Sequence, residues 1–331
     1  VMPLKSGFHI VIFSMLSLFV AEGYAQTVDS LHSCEIHNDR LFHGIRQRPE
    51  FFSLSYRVLQ KARQLPQEWQ IPGADIDQNY FISGKLSVPL KWKGRLRVIA
   101  QLRYKSEMFN VGEVEGLSKD FLQFHNTSIT AVYQYQLKNN WFMAGHYTFG
   151  FKTNDFVDLS SVMDYGGSIL VGRSCALQEW GLGIMINNTF GRLNVAPIIL
   201  FNKELNNRWL IDARLPKEIN FKYAFSPDSF YGYGSARAIG ANYAIGRRDE
   251  LPSDLSFRRR SIDVFGGLEK EIEDWLWVGV EAGYNVPVQS VLVERDAPTR
   301  DYMHSFRMQA APFFRVRVFA VVPKSILKMV R

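Results

Sequence analysis

Leu96-Arg97-Val98-Ile99-Ala100-Gln101-Leu102-Arg103-Tyr104-Lys105 alternates apolar and polar residues, with Ile99 the single break in the polar series. Neighbouring residues of an extended chain point to opposite faces, so this segment is a strand with one oily face and one wet face. Ser128 to Lys138 repeats the pattern, with Ile129, Ala131, Tyr133, Tyr135 and Leu137 set against Ser128, Thr130, Gln134, Gln136 and Lys138. A helix would space its apolar residues by three and four instead.

Segments of the same kind follow one another from about Pro49 to Val322, separated by turn residues. Beyond those two, they are Glu50-Val58, Tyr80-Trp92, Trp141-Thr153, Ser168-Arg173, Trp180-Phe190, Leu193-Asn202, Trp209-Leu215, Glu218-Ser226, Phe230-Gly246, Phe257-Glu271, Trp275-Val286 and Ser305-Val321. This is an all-β chain, and the expected architecture is a single antiparallel up-and-down transmembrane β-barrel of about 12-14 strands.

Connection lengths support the membrane barrel, because such barrels have tight turns at one end and long loops at the other. Lys93-Gly94-Arg95, Lys138-Asn139-Asn140, Cys175-Gln178, Lys203-Asn207, Ser226-Asp228 and Glu273-Asp274 are tight. Gln60-Gln78, Asn110-Lys119, Asn154-Asp164, Arg247-Asp254 and Gln289-His304 alternate with them and are longer and more polar. Outer connections near Gly191 and at Pro216-Lys217 are short, which predicts an uneven rim. Trp141, Trp180, Trp209 and Trp275 each stand just after a tight turn, where an interfacial aromatic belt belongs. A soluble, lipocalin-like periplasmic barrel is the structural rival, since parity alone does not tell inside from outside.

The N-terminal residues indicate export. Lys5 precedes an apolar run from Phe8 to Val20, followed by Ala21-Glu22-Gly23-Tyr24-Ala25. That run, of about 13 residues, is short of the roughly 20 a membrane-spanning helix needs, so residues 1–25 read as a signal peptide cleaved after Ala25. Residues 26–48 then form a polar periplasmic arm, 49–322 the barrel and 323–331 a basic C-terminal tail. The expected location is the outer membrane of a Gram-negative bacterium.

The formal charge is +7 and survives removal of the signal, which carries one Lys and one Glu. For an exported protein this points to outer-membrane lipids, including lipopolysaccharide, and to small anionic solutes rather than to nucleic acid. Arg97, Arg103, Lys105, Lys152, Arg315 and Arg317 share the wet parity of their strands and are the candidate basic lumen, since basic rings favour anions. The alternative is that Glu281 and Asp263 pair with such arginines and plug the barrel. Arg247, Arg248 and Arg258-Arg259-Arg260 flank a long loop and are candidates for binding lipid phosphates.

Cys34 and Cys175 are the two cysteines and form a candidate disulfide in an oxidising compartment. His32, Cys34 and His37 have metal-ligand chemistry but no recognised zinc spacing, so no metal or other cofactor is assigned. A lipid-modifying acyl hydrolase is the enzymatic alternative. It needs a nucleophile with an oriented imidazole, for which His125 with Ser128, or His146 with Thr148, are the available pairs, and neither carries a known motif.

Val195 to Gly246 resembles a domain-of-unknown-function family of outer-membrane β-barrels from Bacteroidetes-type Gram-negative bacteria. The residues that carry the resemblance are Pro197-Ile198-Ile199, Asn207-Arg208-Trp209-Leu210-Ile211, Leu215-Pro216-Lys217, Phe221-Lys222-Tyr223 and Tyr231-Gly232-Tyr233-Gly234. It implies a barrel with no assigned reaction and no catalytic residue to transfer. Many such barrels end on an aromatic residue, whereas this chain runs on to Met329-Val330-Arg331, leaving Phe319 as the aromatic of the last strand. The expected role is a passive pore or a structural or binding element.

Overall fold

A computed structural model describes residues 49–59, 76–91, 94–111, 121–154, 162–175, 177–189, 192–226, 229–245, 255–294, 304–305 and 310–323. The expected signal peptide, the polar arm with Cys34 and its histidines, and the tail after Pro323 lie outside the described residues.

The strands are β1 (Glu50–Leu59), β2 (Ile76–Lys91), β3 (Leu96–Val111), β4 (Phe121–Gln136), β5 (Trp141–Thr153), β6 (Met163–Ser174), β7 (Gln178–Thr189) and β8 (Arg192–Glu204). They continue as β9 (Trp209–Leu215), β10 (Glu218–Ser226), β11 (Phe230–Ala244), β12 (Leu255–Glu273), β13 (Leu276–Glu294), β14 (His304–Ser305) and β15 (Ala311–Val321). Each of β1 to β13 pairs antiparallel with its chain neighbours, β13 pairs with β15, and β15 returns to β1, with Ser55 opposite Arg317. The result is a closed antiparallel barrel of 14 strands. The two-residue β14 rests on β13 outside that ring.

The tight turns have the local chemistry their geometry demands. Asn139 and Asn140 both adopt positive φ, 56° and 62°, as a two-residue hairpin requires, and Asn tolerates that region better than other side-chain-bearing residues. Asn206 Oδ1 accepts hydrogen bonds from the backbone N–H groups of Arg208 and Trp209, both at 2.9 Å, closing the β8–β9 turn as an Asx turn.

Several strands reach further toward the long-loop end than periodicity indicates. β2 begins at Ile76, β3 ends at Val111, β6 begins at Met163 and β13 ends at Glu294. These extensions lie where the alternation lapses into polar residues that still keep ladder partners, as Asp77 opposite Asn110 and Asp164 opposite Thr189 show. The expected strand Ser305–Val321 divides into β14 and β15.

Parity resolves which face is which. Leu54, Tyr56, Leu86, Val88, Leu102, Tyr104, Ile129, Tyr147, Leu182, Ile184, Val195, Val280, Phe314 and Val316 point outward and are exposed. Their strand neighbours Ser55, Arg57, Ser87, Thr130, Glu281 and Arg315 are buried inside. A soluble barrel has the opposite arrangement, so the lipocalin-like alternative fails on this observation. At the tight-turn end the outward-facing Trp141, Trp180, Trp209 and Trp275 are all exposed, and Trp141 and Trp180 meet edge to face at 5.7 Å.

Candidate functional site in the barrel interior

The inward faces of β10 to β13, β15, β1 and β2 are largely buried. Nearest the tight turns, Leu210, Ala224, Tyr231, Trp277, Phe319 and Val321 form an apolar cluster, with Tyr231 stacked on Trp277 at 5.4 Å. At the long-loop end Phe109, Phe124, Tyr243 and Phe257 form an aromatic cap, with Phe124 stacked on Tyr243 at 4.6 Å and Phe109 edge-on to Phe257 at 5.3 Å.

Between these apolar layers runs a belt of ion pairs. Arg57 grips Asp263 through both terminal nitrogens, at 2.7 and 3.0 Å, the bidentate geometry that suits guanidinium to carboxylate. Asn285 also donates to Asp263, at 2.6 Å, and Arg315 stands 3.8 Å from it while binding Glu281 at 2.6 Å. The Tyr233 hydroxyl donates to the second oxygen of Glu281 at 2.8 Å. Arg317 joins Glu269 and Glu50, and Lys85 completes Glu50 at 2.6 Å. Higher up, Arg259 and Lys105 share Glu107. Arg57 also lies 3.8 Å above the Phe313 ring, so the belt is locked by ring faces as well as by charge. Burying so many ions is tolerable because each guanidinium has a carboxylate and each carboxylate has donors.

The other side of the interior differs. On β3 to β8 the inward residues Gln101, Gln134, His146, Thr148, Ser168, Met185 and Asn187 are half-buried, and Arg103 is exposed to the same space. Arg103 hydrogen-bonds Gln101 Oε1 at 2.5 Å, and neither it nor Arg97 has a carboxylate partner among the described residues. Two glycines mark how tightly the sheet bends here. A Cβ on Gly172 would meet the Trp180 carbonyl oxygen at 2.2 Å, and one on Gly183 would meet that of Ile169 at 2.1 Å. No other residue fits at either place.

The six candidate lumen residues therefore divide. Arg315, Arg317 and Lys105 belong to the buried belt, and Lys152 pairs with Asp164. Arg97 and Arg103 remain as the basic lining of the solvent-reached side. Sequence parity predicts all six as inward but gives no height along the barrel, which decides whether an acid is within reach. Arg259, expected beside a loop, lies in β12 and turns inward to Glu107, while Arg247 and Arg248 are outside the described residues.

The histidine pairs are not those the sequence offers. His125 Nδ1 meets the Tyr104 hydroxyl at 2.8 Å on the outer face, away from Ser128. His146 Nδ1 meets Ser168 Oγ at 2.7 Å inside the barrel, and Thr148 bonds Thr130 at 2.9 Å instead. His146 and Ser168 are 22 residues apart, a juxtaposition visible only once β5 and β6 are set in register. Arg103 and Lys217 face His146, and among the described residues no carboxylate is seen to orient its ring as a serine nucleophile's base requires. Cys175 sits in the β6–β7 turn, where its N–H donates to the Gln178 carbonyl at 2.7 Å, and Cys34 lies outside the described residues.

Comparison with known proteins places these features among others. The chain is similar to several solved structures. The deltaS2S3 mutant of the TodX monoaromatic hydrocarbon channel is 9% identical, with 82% of this chain and 91% of that chain covered and a TM-score of 0.38. The Pseudomonas putida toluene transporter TodX is also 9% identical, covering 81% of this chain and 88% of its own, with a TM-score of 0.37. The deltaS2 mutant of TodX is 11% identical, with coverages of 82% and 90% and a TM-score of 0.37. No curated protein matches the chain. A family model described as Domain of unknown function (DUF6268) matches residues 79–318, from β2 into β15, and the chain belongs to that family.

Proposed function

We propose that this protein is a passive pore of the outer membrane of a Gram-negative bacterium, passing small anionic solutes along the β3–β8 side of its lumen. The observation that carries the reading is the division of the interior: acids and bases pair off and fill one side, while Arg97 and Arg103 line the side that solvent reaches. An aqueous path lined by Arg97 and Arg103, which have no carboxylate partner among the described residues, favours anions over cations. The outward apolar belt and the exposed tryptophans at its tight-turn edge support insertion in a bilayer, with the tight turns periplasmic. The likeness of the Val195–Gly246 stretch supports a Bacteroidetes-type source.

Reconstitution in planar bilayers under a potassium chloride gradient tests the proposal. Single-channel steps are expected, with a reversal potential on the chloride side that moves toward zero in the Arg97→Gln/Arg103→Gln variant. An assembled barrel that conducts nothing, or one whose selectivity ignores both arginines, overturns the pore and leaves a structural or lipid-binding role.

A further inference from the structure

β9 and β10 form the shortest hairpin of the wall, 7 and 9 residues, between β8 with 13 and β11 with 15. Seven residues at about 3.3 Å each, tilted by about 40°, rise roughly 18 Å, so the hairpin turns over part-way up the wall instead of at the rim. Its tip is fastened there: the Lys217 N–H donates to the Arg214 carbonyl and the Ala238 N–H to the Lys217 carbonyl, both at 2.8 Å. Leu210, Asp212 and Arg214 share one parity, and Leu210 belongs to the interior apolar cluster, so Arg214 turns into the lumen. Its side chain is nonetheless 67% exposed, so the space it enters is wet.

β3 stands seven strands from β10 in either direction around the ring, directly across the barrel. Arg103 projects inward from β3 and is exposed, as Arg214 and Lys217 are. Side chains from these opposite walls come close enough to act on one another: Arg214 on Arg103, Arg103 and Arg214 on Lys217, and both Arg103 and Lys217 on His146. The open side of the lumen is therefore pinched at the height of the tip, and the pinch is basic. Of the acids beside the tip, Glu218 is taken by Arg237 at 2.8 Å, and Asp212 stands 3.8 Å from Arg214. Arg103, Arg214 and Lys217 against Asp212 leave two positive charges in excess among the described residues. Ser168, bonded to His146 at 2.7 Å, adds a neutral hydroxyl group beside them.

We propose that the hairpin tip and Arg103 form an anion-binding station in the lumen, selective for a small, doubly charged oxyanion over a singly charged one. Like charges gathered from two walls repel, and an anion held between them turns that repulsion into attraction, more strongly when its own charge matches the excess. The guanidinium forks and the ammonium group supply charge-assisted hydrogen bonds to several oxygens at once. The inference rests on the pore reading, whose solute it names by class.

Isothermal titration calorimetry of the full chain in detergent tests it, with sulfate as the doubly charged probe and nitrate as the singly charged one. A single sulfate is expected to bind more tightly than nitrate, with affinity about tenfold weaker in Arg214→Gln/Lys217→Gln for the loss of charge-assisted hydrogen bonds. The charge-matched variant Lys138→Gln/Arg208→Gln, altered at exposed positions of the tight turns, should bind sulfate as the wild type does. Equal affinity of the wild type for sulfate and nitrate overturns the proposal, and that comparison decides it even if the tip variant fails to assemble. An equal loss of sulfate affinity in the two variants also overturns it, since net charge would then account for binding. Planar bilayers separate this failure from failure of the pore: a barrel that binds sulfate and conducts nothing sinks the pore and keeps the station, whereas an anion-selective channel whose chloride current ignores added sulfate sinks the station and keeps the pore.

Discussion

Asp263→Asn is the sharpest test of the ion-paired side of the barrel. The side chain of Asp263 is 0% exposed, holds both terminal nitrogens of Arg57, accepts from Asn285 and lies near Arg315. Asparagine keeps the volume and removes the charge, leaving Arg57 with no carboxylate and Arg315 with Glu281 alone. Stripping one partner from a buried pair costs about 3–5 kcal/mol. With a urea dependence of about 3 kcal/mol/M, the unfolding midpoint should fall by about 1–1.7 M. The assay is the urea titration of the reconstituted barrel, read by the difference in gel migration between unboiled and boiled samples. A companion variant, Arg57→Met/Asp263→Leu, removes both ions at similar volume and should recover most of the loss, because the penalty comes from the orphaned charge. A midpoint for Asp263→Asn within about 0.3 M of wild type would refute the reasoning, since a drop below about 1 kcal/mol is the size of a solvated pair.

Three further outcomes are expected. Ala100 faces outward opposite Val88 and Ala131, so Ala100→Arg should reduce the heat-modifiable protein by a destabilisation of about 2–4 kcal/mol, whereas the inward Gln101→Arg should not, and equal tolerance counts against a lipid-facing β3. Gly183→Val should prevent assembly because its Cβ would lie 2.1 Å from the Ile169 carbonyl oxygen, while Gly234→Ala, with nothing within 4 Å, should assemble normally; matching yields from the two would remove the steric argument. Peptide mass spectrometry without reduction should yield a Cys34–Cys175 linked peptide, and two separately alkylated thiols would disprove the bridge.

Alternation alone was enough to read the barrel, because each strand buries one face in its own interior and turns the other outward. Leu96 to Lys105 shows the reason: the pattern fixes parity residue by residue, and the tight turns fix where it restarts. The short Pro216-Lys217 connection was legible too, as an uneven rim, although its depth depends on how far β8 and β11 continue. Partnership was not legible. Arg315 and Arg103 have the same parity and the same chemistry, yet one meets Glu281 and the other meets Gln101, because relative height is set by register across strands far apart in the chain. His146 and Ser168 illustrate the same limit, and so does Arg259, whose basic run looks like a loop flank until β12 is seen to start at Leu255.

The belt of ion pairs also bears on how the ring finds its correct closure. Arg57 and Asp263 are 206 residues apart, and Arg317 and Glu50 are 267 apart, so these bonds form only after the first and last strands have met. A slip of one residue along the β1–β15 seam would turn a whole strand over, sending Arg57 or the pair Arg315 and Arg317 into lipid and bringing Tyr56 or Val316 inside. Each guanidinium so displaced costs about 2–4 kcal/mol at mid-bilayer and strands its acid within. The charges therefore act as a register key: they add little to a barrel already closed correctly, and they make every misaligned closure expensive enough to reopen.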